Sequence, residues 1–255
     1  MAVNSLNYDL HIHTEYCGHA QGMSVEKICK RADEIGLETI AITDHIFRPK
    51  DVDVIKHIRD EVSQIKTNCK VIVGAEVDVN FEYDDGRLVT DALDDIDYII
   101  AGFHYVPLIG TYPHGPDDCE MAPDEFFKVW QKSLLGIVSN PKIDTLAHPG
   151  RLLASSVDLD IFFDDALGIF DEAAKLSAKN NIAWEINELT YFRQQAQVEK
   201  FYEISKLALD HGVKLVFGTD SHFPESIGQS NYADDIIKRL GTENISTPGD
   251  LGLIK

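Results

Sequence analysis

Short apolar runs alternate along the chain with longer segments in which apolar residues recur every three or four positions. Continuous apolar runs of this length are typical of strands buried on both faces, whereas the longer period is typical of amphipathic helices. The alternation therefore indicates an α/β protein. The predicted strands lie at residues 6–13, 39–45, 70–76, 97–103, 144–147, 182–187 and 214–219.

The segments between the strands predict helices, some with clear start and stop signals. Ser24 is a suitable N-cap for a helix over Val25–Ile35, and Gly36 is a suitable C-terminal stop. Further helices are predicted at 51–67, 124–138, 162–180, 199–210 and from Asn231 onwards. The segment 105–123 is rich in Pro, Gly and Asp, and its length predicts a loop that covers or contacts a substrate.

The order of the elements favours a parallel sheet covered by helices on both faces. Polar residues of the types that bind metals lie at the C-terminal ends of six of the seven predicted strands. A closed barrel brings all of those ends to one mouth, whereas an open sheet would spread them along an edge. We therefore predict a seven-stranded α/β barrel. Since no linker or internal repeat is present, residues 1–255 are expected to form a single domain.

Residue types that bind metals stand at those strand ends. In a strand, residues two apart point to the same face, so His11 and His13 can direct two imidazoles to one point, and His19 can return from the following loop. Each candidate has an ordinary alternative, such as a turn histidine or a helix-capping aspartate, but their joint occurrence at strand ends indicates a metal centre. The candidates are His11, His13, His19, His45, Glu76, His104, His148, Asp220 and His222. Since zinc takes about four ligands, this number implies two or three ions of zinc, manganese or iron.

The charge balance narrows the range of partners. The chain has 23 Lys and Arg against 43 Asp and Glu, a formal net charge of −20. This balance disfavours nucleic acid as a ligand, because its binding relies on Lys and Arg that neutralise phosphates. An anionic substrate would instead need metal ions to supply positive charge. No apolar run could span a membrane, no secretory signal is visible, and the four cysteines form no C-x-x-C pair; these features predict a cytoplasmic protein without membrane association.

The motifs at the strand ends resemble those of the PHP family, whose name stands for polymerase and histidinol phosphatase. They are His-x-His-Thr at 11–14, Thr-Asp-His at 43–45, Gly-x-Glu at 74–76, a strand-end histidine at 104, Ala-His-Pro at 147–149 and Asp-x-His at 220–222. The resemblance extends from Tyr8 to about Gly228. It implies a distorted (β/α)7 TIM-like barrel and a metal-dependent phosphoesterase.

The resemblance also implies how the ligands divide among three divalent ions. Cys17 lies between two of the ligands in sequence and is interpreted as a packing residue. No ligand position departs from the family pattern. One ion would be held by His11, His13, Glu76 and Asp220, a second by His19, His45 and His222, and a third by Glu76, His104 and His148, with Glu76 bridging.

Such a centre predicts the hydrolysis of a phosphate ester. Coordination to a metal lowers the pKa of water from 15.7 towards about 7, which provides a hydroxide for in-line attack on phosphorus without a covalent enzyme intermediate. We expect Glu76, Asp220 and His222 to be catalytic. Arg151 and Arg193 are expected to bind the substrate, because a guanidinium donates bidentately to phosphate.

The expected substrate is a small phosphomonoester, and histidinol phosphate is one possible example. The sequence leaves three alternatives open: a phosphodiesterase or nuclease acting on nucleotides or short oligonucleotides, an amidohydrolase, and a non-catalytic metal-binding domain. Amidohydrolases usually bridge their metals with a lysine at the end of the fourth strand, where this chain has Gly102-Phe103-His104. The sequence indicates neither the oligomeric state nor the native metal.

Overall fold

The computed structural model describes residues 6–254, which contain nine strand segments and eight α-helices. The strands are β1 (Tyr8–Ile12), β2 (Thr39–Ile42), β3 (His45–Ile46), β4 (Lys70–Val73), β5 (Ala75–Asp78), β6 (Ile99–Gly102), β7 (Thr145–Leu146), β8 (Ala183–Asn187) and β9 (Leu215–Gly218). The helices are α1 (Val25–Ile35), α2 (Asp53–Gln64), α3 (Pro123–Ile137), α4 (Arg151–Ser156), α5 (Leu159–Asn180), α6 (Glu188–Arg193), α7 (Val198–Asp210) and α8 (Ala233–Leu240).

The strands form two sheets in which every neighbouring pair is parallel. The first sheet has the order β1-β2-β4, and the second has the order β3-β5-β6-β7-β8-β9. The predicted α/β class with parallel strands is therefore confirmed. The strands are buried along most of their length, in agreement with their apolar sequences.

Two of the predicted strands are each divided between the sheets, which gives nine segments rather than seven. In the run 70–76, the chain changes partners at Gly74. The backbone N–H of Gly74 donates to Ile42 O (2.8 Å), whereas that of Ala75 donates to Tyr98 O (2.9 Å). A Cβ at position 74 would lie 2.5 Å from Tyr98 O, so the crossing from one sheet to the other requires glycine.

The second division falls at Thr43 and Asp44, between β2 and β3. Asp44 is buried, and its carboxylate accepts hydrogen bonds from the backbone N–H and the hydroxyl of Thr14. After this break the chain enters the second sheet, where His45 pairs with Glu76 of β5. The division thus places an imidazole directly beside a carboxylate.

The two sheets meet where β1 lies beside the segment that follows β9. Ser221 N donates to His11 O (3.2 Å), and His13 N donates to Ser221 O (3.0 Å). Asp9, fully buried in β1, accepts from both the backbone N–H (3.0 Å) and the hydroxyl (2.6 Å) of Thr219. These contacts hold the ligand candidates of the first and last strands side by side.

Helix α1 has the predicted bounds and caps. Ser24 Oγ accepts from Lys27 N (3.4 Å), and Gly36 ends the helix with a φ of +76°. The helix predicted at 51–67 is shorter in the structure, where α2 spans Asp53–Gln64. The sequence pattern did not predict α4 and α6, since a six-residue helix is too short to show a period and α4 is buried on all sides. Within residues 6–254, no helix combines the length and apolar character that a membrane crossing requires.

Candidate metal centre

The nine predicted ligands come together in space, on β1, β3 and β5 and on the segments that follow β1, β6, β7 and β9. Eight of them belong to clusters whose ligand atoms all lie within 4.8 Å of one another, and the ninth, Asp220, contacts one of these clusters. We call three clusters the first group (His11, His13, Glu76 and Asp220), the second group (Glu76, His104 and His148) and the third group (His19, His45 and His222).

In the first group, four ligand atoms converge. The Nε2 atoms of His11 and His13 lie 3.0 Å apart. Glu76 Oε2 lies 3.3 Å from His11 Nε2 and 3.6 Å from His13 Nε2. Asp220 Oδ1 lies 3.2 Å from His13 Nε2 and 3.8 Å from His11 Nε2. Two imidazole nitrogens and two carboxylate oxygens that face one another are a suitable ligand set for one ion.

The other oxygen of Glu76 belongs to the second group. Glu76 Oε1 lies 2.8 Å from His148 Nε2 and 3.2 Å from His104 Nε2, and these two nitrogens are 3.1 Å apart. Glu76 thus directs one oxygen to each group, as a bridging carboxylate must. Gly102 leaves room for this arrangement, because a Cβ there would lie 2.8 Å from Glu76 Oε1.

The third group lies on the exposed side of the centre. The ring of His19 stacks against those of His45 and His222, with centroid distances of 5.2 and 4.7 Å. His45 Nδ1 lies 2.8 Å from Glu76 Oε2, which connects this group with the first. Cys17, interpreted from the sequence as a packing residue, has its Sγ within 4.8 Å of ligand atoms from two histidines of the centre. Burial raises the pKa of its thiol to about 11.

Several buried ligand atoms have no hydrogen-bond partner within the described part of the chain. They include Glu76 Oε2, His45 Nδ1 and His222 Nε2. The first two lie 2.8 Å apart. An unpaired buried polar atom costs about 1–3 kcal/mol, and divalent ions among these atoms would remove that cost. A set of imidazole nitrogens and carboxylate oxygens suits zinc, manganese or iron.

The surroundings keep most of these ligands in the protonation states that metal binding requires. Burial lowers the pKa of His13 to about 3 and the pKa values of His45 and His222 to about 4, so these imidazoles are neutral at pH 7. Burial acts to raise the pKa of Glu76 and of Asp220. The neighbouring imidazoles outweigh it and hold both pKa values well below the ordinary range. Both carboxylates are therefore ionised.

Two imidazoles behave differently because carboxylates surround them. Burial acts to lower the pKa of His104, but Asp78 and Glu76 outweigh it and raise that pKa to about 10. The pKa of His11 is likewise held well above its ordinary value against the effect of burial, with Glu185 the foremost of the nearby carboxylates. Metal ligands must be deprotonated, so bound ions would replace these protons and take over their charge.

Two carboxylates that were not predicted from the sequence contact candidate ligands on the side away from the centre. Asp78 Oδ1 lies 2.8 Å from His104 Nδ1, and Glu185 Oε1 lies 2.8 Å from His11 Nδ1. Contacts of this kind orient the imidazoles of metal sites. A signal was present in the sequence for each: Asp78 lies two positions after Glu76 on the same strand face, and Glu185 is a charged residue inside an otherwise uncharged strand.

The two arginines predicted to bind substrate, Arg151 and Arg193, line one cavity of about 230 Å³, together with His114. The guanidinium of Arg151 donates to the hydroxyl of Tyr112 and lies 4.7 Å from the centre of its ring. Tyr112 in turn stacks with His104, with 6.1 Å between the ring centroids. The cavity is therefore connected to the second group through a single side chain.

Comparison with known proteins agrees with the motifs. A family model described as the PHP domain matches residues 9–189. A probable phosphatase from Acetivibrio thermocellus is 24% identical over 246 residues, which cover 95% of this chain and 88% of that protein. A probable phosphatase from Caldicellulosiruptor bescii is 27% identical over 237 residues, which cover 91% of this chain and 86% of that protein.

A solved structure shows the same fold. It is a histidinol phosphate phosphatase from Lactococcus lactis, crystallised in complex with zinc, L-histidinol and phosphate. The two structures superpose with a TM-score of 0.70 at 21% identity, over 92% of this chain and 93% of that chain. The similarity therefore covers nearly the whole of both proteins.

Proposed function

This chain belongs to the PHP family, and on that premise we propose that it hydrolyses small phosphomonoesters at a centre of three divalent metal ions. The predicted enzyme class, a phosphoesterase, is confirmed by relatives that are named phosphatases. The observation that carries the finer proposal is the position of Glu76. One carboxylate directs a separate oxygen to each of two imidazole groups, and a third group lies beside them.

In this proposal, each of the three groups holds one ion and Glu76 is shared between the first and second. Zinc is the favoured metal, because imidazole and carboxylate ligands suit it and because the Lactococcus lactis neighbour was solved with zinc. Manganese and iron fit the same ligands. Glu76, Asp220 and His222, which we predicted to be catalytic, would act by positioning the ions.

The centre also accounts for how an acidic protein would bind phosphate. When bound, divalent ions supply a nucleophile from water at neutral pH and neutralise charge on the phosphate oxygens. Three such ions against the carboxylates of Glu76 and Asp220 leave a formal surplus of about +4 at the site, which outweighs the protein's overall negative charge locally. The remaining ligands are imidazoles and do not reduce this surplus when they are neutral.

We propose that Arg151 and Arg193 bind the anionic part of the substrate. Both line the same cavity, and Tyr112 connects that cavity to the second group. Arg151 is buried, so its guanidinium is less screened by water than an exposed one would be. Its guanidinium donates to the hydroxyl of Tyr112, whose ring stacks with that of His104 in the second group.

Arg151→Ala is expected to raise KM for a phosphomonoester by about 10- to 100-fold, because a hydrogen bond to a charged group contributes about 1.5–3 kcal/mol. Arg151→Lys should recover part of this loss, since lysine keeps the charge but not the planar fork. Steady-state kinetics at fixed metal concentration measure the effect. Arg48→Ala, which removes an exposed arginine, serves as the matched control. An unchanged KM for Arg151→Ala would contradict the assignment.

We further propose that the two sheets are parts of one distorted seven-stranded barrel. Counting β2 with β3 and β4 with β5 as single interrupted strands gives seven. The backbone hydrogen bonds between β1 and Ser221, just after β9, would then join the first strand to the last. A barrel of this kind gathers the C-terminal strand ends, and hence the three ligand groups, at one mouth.

The proposed function is tested by comparing the initial hydrolysis rates of an aryl phosphate monoester and the matching diester. The protein is reconstituted with Zn²⁺ or Mn²⁺, and His13→Ala is the control that removes a ligand of the first group. We expect the monoester to react much faster than the diester, and the reaction to be lost in the control. A preference for the diester would favour a phosphodiesterase instead. Metal binding without turnover of either ester would contradict the phosphatase proposal.

A metabolite screen would then identify the natural ester. Histidinol phosphate is the first compound to test, because the Lactococcus lactis neighbour was crystallised with L-histidinol and phosphate. The net charge of −20 favours small phosphate esters over long nucleic acids, which would be repelled outside the site itself.

A further inference from the structure

Glu185 is a buried carboxylate in the middle of β8, between strands β7 and β9. Its side chain is 4% exposed, and its strand neighbours Trp184 and Ile186 are fully buried. A charged group in such surroundings is costly unless hydrogen bonds satisfy it. The partners of its two oxygens therefore decide whether this burial is tolerated.

Those partners belong to two different ligand groups. Glu185 Oε1 lies 2.8 Å from Nδ1 of His11, which is a member of the first group. Glu185 Oε2 accepts from the backbone N–H of His148 at 2.8 Å, and His148 is a member of the second group. The same oxygen also accepts from Asn187 Nδ2 at 3.0 Å. One side chain thus supports a ligand of each group.

The identity of the donors around Oε2 is fixed by the surrounding structure. His148 offers a backbone N–H, which can only donate. The amide of Asn187 is oriented by its other end, because Asn187 Oδ1 accepts from Thr190 N (2.7 Å) and so caps α6. Its NH₂ group must therefore face Glu185. Since Oε2 meets two donors, it acts only as an acceptor.

This arrangement determines where the proton of His11 lies. Both oxygens of a carboxylate are acceptors, so Nδ1 of His11 must donate to Glu185 Oε1. A neutral imidazole protonated at Nδ1 has its lone pair on Nε2. That atom faces Glu76 Oε2 at 3.3 Å and Asp220 Oδ1 at 3.8 Å within the first group. The opposite tautomer would direct a proton into the group and remove a ligand.

We propose that Glu185 is a positioning residue of the metal centre, which fixes the ligating tautomer of His11 and holds the backbone of His148, so that the first and second groups depend on one another. The inference rests on the proposed metal-dependent function. The backbone of His148 needs this support, because its φ of +32° lies in a region that residues other than glycine rarely adopt.

The space around Glu185 is matched to a carboxylate in this position. A Cβ at Gly218, on the neighbouring strand β9, would lie 2.1 Å from Glu185 Oε1 and 2.6 Å from His11 Cβ. Any larger residue at position 218 would therefore displace the carboxylate, the imidazole or both. Glycine there allows Glu185 and His11 to approach each other closely.

Glu185→Gln keeps the shape of the side chain but replaces one acceptor by a donor. If the new NH₂ group faced His11, Nδ1 would have to accept, and the proton would move to Nε2. If it faced the other way, the NH₂ group would meet the N–H of His148 and the NH₂ of Asn187. Three donors would then face one another without an acceptor. Each orientation therefore disturbs one of the two groups.

The test is a zinc titration of the full chain, comparing the wild type with Glu185→Gln. Asp78→Asn makes the same chemical change behind His104 alone, so it is the control for the tautomer of His11 and is not expected to keep the wild-type zinc affinity. Glu185→Gln is expected to lower zinc affinity about 10- to 100-fold, as is usual for residues that orient metal ligands. Long-range ¹H–¹⁵N spectra of the zinc-loaded proteins should show that His11 carries its proton on Nδ1 in the wild type and in Asp78→Asn. In Glu185→Gln, the tautomer with the proton on Nδ1 should no longer be the major form.

The outcomes separate this inference from the proposed function. A wild-type protein that binds no zinc, manganese or iron would overturn the metal-dependent function and the inference with it. If the wild type binds zinc and Glu185→Gln binds it with equal affinity and an unchanged His11 tautomer, only the role of Glu185 is overturned. If circular dichroism shows that the variant does not fold, the wild-type spectrum decides, because a zinc-loaded His11 without a proton on Nδ1 contradicts the inference.

Discussion

Glu76→Gln is expected to lower kcat/KM for a phosphomonoester by about three orders of magnitude, which corresponds to about 4 kcal/mol of transition-state stabilisation. The substitution preserves size but replaces one oxygen by an NH₂ group, so either the first or the second group would face a donor where it requires an acceptor. It also removes one of the two carboxylate charges among the ligands. Steady-state kinetics and metal analysis of the purified variant measure both consequences.

A matched control for this prediction is Glu82→Gln, which makes the same chemical change on an exposed side chain six positions along the chain. This control should keep the wild-type kcat/KM and metal content. Metal analysis then distinguishes the loss of ions from the loss of activity in a loaded centre. A Glu76→Gln variant that binds as much metal as the wild type and hydrolyses at the same rate would contradict the bridging position.

The proposed ligands could be selected from the sequence because the geometry that brings them together is local. The two-residue period of a strand places His11 and His13 on one face, and their Nε2 atoms indeed lie 3.0 Å apart. Parallel strands then bring their C-terminal ends to the same side, so a motif that ends one strand lies near the motif that ends the next. Residue type and position relative to the strand were sufficient for this prediction.

The contact between Glu185 and His11 could not be identified in the same way, because the two residues are distant in sequence. Glu185 lies 174 positions after His11, and no local pattern pairs the two. The division of the strands has a similar origin. Gly74 permits the chain to pass from one sheet to the other only because the carbonyl of Tyr98 approaches it closely in the folded protein.

The cavity lined by Arg151 and Arg193 is an intermediate case. Arg151 and Arg193 were both predicted to bind the substrate, and in the structure they line one cavity. The sequence could not reveal that Tyr112, from the long loop, contacts both Arg151 and His104. Loop residues of this kind are positioned by tertiary contacts rather than by a period in the sequence.

Removing the metal ions with a chelator is expected to lower the free energy of unfolding by about 4 kcal/mol. The reference is the protein at a free metal concentration about a thousandfold above the Kd for the metal. The physical reason lies in the buried atoms of the centre. Without ions, Glu76 Oε2, His45 Nδ1 and His222 Nε2 have no hydrogen-bond partner among residues 6–254, and the buried carboxylates depend on protonated imidazoles for compensation. Urea unfolding in excess zinc and in excess chelator measures the difference.

The same measurement on His13→Ala separates a specific centre from general binding of metal to an acidic surface. Because this variant lacks a ligand of the first group, zinc should stabilise it less than it stabilises the wild type. Equal stabilisation of both proteins would show that the ions bind elsewhere, and no stabilisation of either would contradict the metal centre. Strong stabilisation of the wild type without hydrolysis of any ester would favour a metal-binding domain over an enzyme, since the ligand groups would then serve the fold rather than catalysis.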